Sequence, residues 1–231
     1  MMCHQRTSES RPDAALPELD SGLTLLETSH PHSTALHQLA LDTVQQVDGV
    51  AYWVDARNTS SSYTLHEVAP HRRLLQRIRL ARGFTAYQHF MLIRRVVNRA
   101  SARTGCIVVP DLASLYRDND VPDHEATAML DAVLAALSEV ADVYDIPVIV
   151  TDAAGDDLTE QVASEVATSY ECEQTGMGYR FVGEDYETTV YWEDGYWQTT
   201  IPYWVDLLGV AEEQADTAGI GPITPATVGG A

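Results

Sequence analysis

Short apolar runs alternate along this chain with longer helical patterns, and that order restricts the fold more than any other feature. Leu23–Leu26, Val50–Val54, Cys106–Val109 and Ile146–Val150 read as strands. The last two are unbroken apolar stretches, as expected of strands buried on both faces of a sheet. Between them, Ala35–Val47 sets Leu36, Leu39, Ala40 and Val44 on one helical face. Tyr87–Ala100 is a second helix candidate, and His124–Val143 a long third one with Leu130, Leu134, Leu137 and Val140 among its apolar positions. Leu74–Ile78 has helical character, and Arg79–Ala81 reads as a short strand. This alternation predicts an α/β protein with a largely parallel sheet flanked by helices. Tyr179–Val182 and Thr188–Trp192 instead alternate like antiparallel strands about a Gly183-Glu184-Asp185 turn. The sheet is therefore expected to carry an antiparallel C-terminal extension.

Residues 1–18 are polar, include Arg11-Pro12, and read as a flexible leader. Residues 19–210 read as a single core domain, and 211–231 as a disordered tail of acidic and small residues. No internal repeat is visible.

Charge narrows the setting. All 14 basic side chains are arginine, against 34 acidic ones, for a formal net charge of −20. Such a chain repels itself in dilute buffer. In molar salt the Debye length falls to about 3 Å and most of that repulsion is screened. A salt-rich cytoplasm is the expectation. No apolar stretch reaches the roughly 18 residues of a membrane span, and the N-terminus has no apolar signal region. Cys3, Cys106 and Cys172 are too few and too scattered for a disulfide framework.

Positive charge is segregated. Arg72, Arg73, Arg77, Arg79, Arg82, Arg94, Arg95, Arg99 and Arg103 fall within residues 72–103, which hold no Asp or Glu. The block carries +9 and leaves −29 for the rest of a chain of net charge −20. Arg95 and Arg99 stand one helical turn apart. Arginine suits bidentate contacts to phosphate or carboxylate. Three readings stay open: pairing with the chain's own acidic helices, a DNA phosphate surface, or a surface for an acidic protein partner.

Glu27-Thr28-Ser29-His30-Pro31-His32-Ser33-Thr34 lies between a strand-like and a helix-like run, where a nucleotide-hydrolysing α/β protein has its phosphate loop. That loop reads G-x-x-x-x-G-K-[ST]. Here only Thr34 fits; Glu27 and His32 stand at the glycines and Ser33 at the lysine. Three further segments follow in order. They are Arg77-Ile78-Arg79-Leu80-Ala81-Arg82-Gly83-Phe84-Thr85-Ala86-Tyr87-Gln88-His89-Phe90, Cys106-Ile107-Val108-Val109-Pro110-Asp111-Leu112-Ala113-Ser114-Leu115-Tyr116-Arg117, and Ile149-Val150-Thr151-Asp152.

Together these resemble the ATPase core of the RecA/RadA recombinase superfamily, nearest to a degenerate archaeal RadA-like paralogue, over about residues 19–210. The first is similar to R-I-x-x-A-R-A-x-x-x-x-H-Q, the second to the Walker B strand and its turn, and the third to V-V-T-N-Q. The resemblance implies a RecA-like core. It places Thr34 and Asp111 at a vestigial nucleotide and magnesium site. It also sets Arg57 where the family's water-polarising glutamate belongs, and arginine is not a base. No cofactor is expected, with ATP and magnesium as the alternative. The implied function is a non-catalytic accessory of DNA recombination or repair. Its partners would be DNA, an active RadA-type recombinase or another acidic protein, with no membrane involvement. Two alternatives stand beside it: a weak ATP-dependent DNA-processing enzyme with an unconventional phosphate loop, and a scaffold in an unrelated pathway. The family's DNA loops would fall at Asp118–Asp123 and Ala153–Ser164, both acidic here.

His30, His32 and His37 lack a second cluster at zinc-like spacing and read as surface or packing residues. The aromatic segment 186–204 has no interleaved basic residue and reads as sheet packing. G-x-S-x-G is absent, so a serine hydrolase has no support.

Overall fold

The computed structural model describes residues 16–28, 33–47, 49–58, 62–175, 178–184, 187–193 and 196–199. The tail expected over 211–231, most of the leader, and His30 and His32 lie outside them.

The described strands are β1 (Gly22–Thr28), β2 (Val50–Ala56), β3 (Ile78–Gly83), β4 (Thr104–Val109), β5 (Pro147–Val150), β6 (Thr168–Thr175), β7 (Gly178–Val182), β8 (Glu187–Glu193) and β9 (Tyr196–Thr199). They hydrogen-bond in the order β3-β2-β4-β5-β1-β6-β7-β8-β9. The first six run parallel. From β6 onward the pairs are antiparallel. The helices are α1 (Ala35–Val47), α2 (Ser62–Val68), α3 (Arg72–Leu75), α4 (Ala86–Val97), α5 (Asp123–Tyr144) and α6 (Asp157–Glu165). The protein is thus α/β, with a mostly parallel sheet between helices and an antiparallel side toward the C-terminus.

Every residue of β4 and β5 is buried, which is why both appear in the sequence as unbroken apolar runs. Alternate side chains feed two cores. Val54, Ile107, Val109 and Val148 pack under α4, α5 and α6, while Trp53, Cys106, Val108 and Ile149 pack under α1, α2 and α3. Gly49 and Gly105 let the entries to β2 and β4 approach closely, since a Cβ on Gly49 would lie 2.5 Å from the Gly105 Cα.

The differences from the sequence reading have local causes. Of residues 74–78, only Leu74 and Leu75 are helical, as the last two residues of the short α3, and β3 begins at Ile78. The acidic stretch 153–164 is not all loop: the Asp156 side chain accepts from the Thr159 N–H and starts α6. Strand β6 shows a single-sided pattern, with Tyr170 and Cys172 turned inward and Glu171, Glu173 and Gln174 toward solvent.

Candidate functional site

In an open α/β sheet, ligands bind beyond the carboxyl ends of the parallel strands. Four sequence-selected positions lie at that edge: Thr34 at the start of α1, Arg57 after β2, Asp111 after β4, and Thr151-Asp152 after β5.

Thr34 precedes α1, whose first-turn amides carry partial positive charge. An anion would be welcome there. A tyrosine from across the molecule is there instead. The Thr34 N–H donates to the Tyr179 hydroxyl oxygen on β7 at 3.0 Å, and the two hydroxyl oxygens lie 2.6 Å apart. Gln38 Nε2 also donates to Thr34 Oγ1 at 3.3 Å.

Asp111 sits in the left-handed region at φ 52°, in the turn that ends β4. Its N–H donates to Thr151 Oγ1 at 2.9 Å, tying that turn to the end of β5. Burial pushes its carboxyl up from the ordinary carboxylate range, Asp152 adds in the same direction, and Arg117 and Arg57 oppose them. Asp152 is almost fully buried, and Arg117 grips it with Nη1 and Nη2 at 2.9 and 2.6 Å. The same guanidinium donates to both oxygens of Asp156 at 2.7 Å, and to Thr159 Oγ1 at 2.8 Å. The Arg117 hydrogen bond holds Asp156 far below the usual carboxylate range.

The other two arginines at this edge are also engaged. Arg57, at φ 56°, donates to the Ser114 carbonyl at 3.1 Å and pairs with Asp118. Arg82 Nε donates to the fully buried Asp55 at 3.0 Å. What remains open is a cavity of about 280 Å³ lined by Glu27, Thr28, Asp152, Ala153, Gly155, Thr159 and Glu171. It presents the Glu27 and Glu171 carboxylates, with Asp152 in its wall already held by Arg117, and no basic side chain. No protein-family model matches the chain, and no curated protein matches it at a significant level.

The nine arginines of 72–103 do not form one surface. Arg82 turns to Asp55. Arg79 lies on β3, the outermost strand, and donates to the Gln76 carbonyl at 2.6 Å. A charge set on an edge strand in this way blunts strand-to-strand aggregation. Arg77 donates to the Val44 carbonyl at 3.4 Å, in the last turn of α1. The remaining six, Arg72, Arg73, Arg94, Arg95, Arg99 and Arg103, are exposed and form no ion pair among the described residues. Arg72 and Arg73 belong to the α1–α3 layer, and Arg94 and Arg95 to the opposite one. On that second layer Phe84, Tyr87 and Met91 are also exposed, at 63%, 46% and 53%. An apolar and arginine-rich surface thus runs from the loop before α4 to the turn after it.

His37 packs against Trp53 with ring centroids 5.1 Å apart, and burial lowers its pKa. Among the described residues no group of three or more His, Cys, Asp or Glu side chains is arranged to hold a metal ion. No helix among them is long and apolar enough to cross a membrane. The sequence reading missed the Tyr179 contact and the Arg117 cluster. Arg117 stood in a motif and Asp156 in a run of negative charge, and only the pairing of β4 with β5 brings them together.

Proposed function

We propose that this chain is a non-catalytic RecA/RadA-like protein, a binding module in DNA recombination or repair working in a salt-rich cytoplasm. The support is the convergence of the resembling segments at one sheet edge, joined to the state of that edge. One observation carries the non-catalytic part: Tyr179 holds the amide and hydroxyl of Thr34 that a phosphate and its magnesium ion would use. The electrostatics agree. Phosphoryl transfer depends on positioning and on neutralising charge that builds on the phosphate oxygens. Here Arg57, Arg82 and Arg117 are each engaged by the chain's own carboxylates, and the adjoining cavity offers Glu27 and Glu171. These residues do not fit a magnesium nucleotide. Binding falls instead to the arginine surface of α4, whose cations have no internal ion-pair partner among the described residues.

Isothermal titration with Mg-ATP in molar KCl, with phosphate release followed in parallel, tests the first part. No binding heat and no turnover are expected. Micromolar affinity with turnover overturns it in favour of an unconventional ATPase. Fluorescence anisotropy with single-stranded and duplex DNA, and capture with an active recombinase, test the second. Replacing Arg94, Arg95 and Arg99 by Ser should abolish whichever interaction is found; unchanged binding removes this surface from consideration.

A further inference from the structure

Helices α4 and α5 pack side by side on one face of the sheet, joined through Ile93, Val96, Leu130 and Val133. Their outward faces are opposite in charge. The α4 face and the turn after it carry Arg94, Arg95 and Arg99 with no acid. The α5 face carries Asp131, Glu139 and Asp142, continued by Asp145, and the helix has no Arg. Each helix follows one parallel strand and precedes the next, so the two run in the same direction. The basic end of α4 and the acidic C-terminal end of α5 therefore lie at the same edge of the sheet; the first turn of α5 carries Asp123 and Glu125 at the other. They are neighbours, yet no ion pair joins them among the described residues.

We infer that the partner of the α4 surface is a second copy of this chain, in a two-fold dimer with α4 of each copy lying on α5 of the other. This rests on the reading of that surface as a binding face. A self-complementary patch needs both halves of the contact on one subunit, which is the requirement of a two-fold interface. A two-fold axis parallel to the helices, above the seam between them, meets it. That operation keeps the helix directions parallel and brings the arginine end of α4 toward the end of α5 of the second copy where Glu139, Asp142 and Asp145 are exposed. An axis perpendicular to the helices sets α4 antiparallel on α4 and offers its arginines no acidic helix face. Exposed aromatic, Met and Arg side chains together are the composition of an interface centre.

Sedimentation equilibrium in molar KCl, with folding of each variant checked by circular dichroism, tests the dimer. The wild type should associate in the micromolar range. The triple variants Arg94→Glu/Arg95→Glu/Arg99→Glu and Glu139→Arg/Asp142→Arg/Asp145→Arg should each associate at least tenfold more weakly. An equimolar mixture of the two should recover association, because each then offers the other an opposite face. A monomeric wild type, or a mixture no tighter than either variant by itself, overturns the inference. The same samples titrated with a labelled oligonucleotide separate the two readings. A monomeric wild type whose oligonucleotide binding is lost in the arginine variant sinks the dimer and keeps the binding face, while a monomeric wild type that binds no oligonucleotide sinks both.

Discussion

Tyr179 and Thr34 are 145 residues apart, yet the tyrosine hydroxyl meets both the backbone amide and the side-chain hydroxyl of the threonine. One is on β7 and the other at the start of α1, so this contact ties the antiparallel side of the sheet to the first crossover helix. A helix terminus open to a ligand would leave that amide to the ligand. Here it is part of the folded structure.

Tyr179→Phe should therefore cost stability without opening a nucleotide site. It leaves the Thr34 N–H without its partner, and an unsatisfied, partly buried donor costs about 1–2 kcal/mol. Urea denaturation in molar KCl should show the lower midpoint. Mg-ATP should still give no binding heat, because Glu27 and Glu171 remain in the adjoining cavity.

Arg117 is the residue on which the carboxyl edge most depends. Its removal leaves Asp152, at 3% exposure, as an uncompensated buried charge. Breaking such a pair from one side costs about 3–5 kcal/mol. Arg117→Met should fall in that range by chemical denaturation. Arg117→Lys should recover only part of the loss, since an ammonium lacks the planar fork that reaches Asp152 and Asp156 together. Arg117→Met combined with Asp152→Asn should be less destabilised than Arg117→Met by itself. If the double variant is the weaker of the two, the ion pair is not what holds this edge.

The fold was legible where one physical signal dominated. The unbroken runs of β4 and β5 reflect burial on both faces, and the α1 pattern reflects a buried side that includes Leu36, Leu39, Ala40 and Val44. Strand β6 was not legible, because its outward Glu171, Glu173 and Gln174 hide the two inward side chains in a polar stretch. At the site, Asp111 and Arg57 announced themselves by position after strands. Tyr179 did not, since nothing local to β7 marks its hydroxyl as the partner of a residue near the other end of the chain. The arginine block was visible as charge, but its division between the two faces of the sheet depends on β3 passing between α3 and α4.

Gly49 and Gly105 offer a test of the close approach between the entries to β2 and β4. A Cβ on Gly49 would sit 2.5 Å from the Gly105 Cα and amide nitrogen, whereas a Cβ on Gly105 would sit 3.1 Å from the Gly49 Cα. The first demands backbone movement, and the second only a few tenths of an ångström. Forced overpacking costs about 1–3 kcal/mol. Gly49→Ala should thus destabilise clearly more than Gly105→Ala in thermal melts, and equal losses would contradict the packing described.

His89 gives the protein an acid-sensitive core. It is fully buried, its Nδ1 lies 3.1 Å from the Tyr116 hydroxyl, and its Nε2 has no hydrogen-bond partner among the described residues. Burial lowers its pKa from 6.5 to about 4. Between those values the unfolded chain binds a proton that the folded chain does not, so stability rises with pH across the window and falls as the solution is acidified. The lost contribution is complete only below the folded value, and amounts to about 3 kcal/mol. His37 is shifted in the same direction by burial and adds to the trend. Asp111 works against it, because a carboxyl raised in the folded state binds protons there more readily than in the unfolded chain. Urea midpoints taken from pH 7 to pH 4 should fall steadily for the wild type. In His89→Gln the same series should lose a large part of its slope, whatever the variant's stability at neutral pH. An unchanged slope would mean that His89 takes up its proton without leaving the folded state.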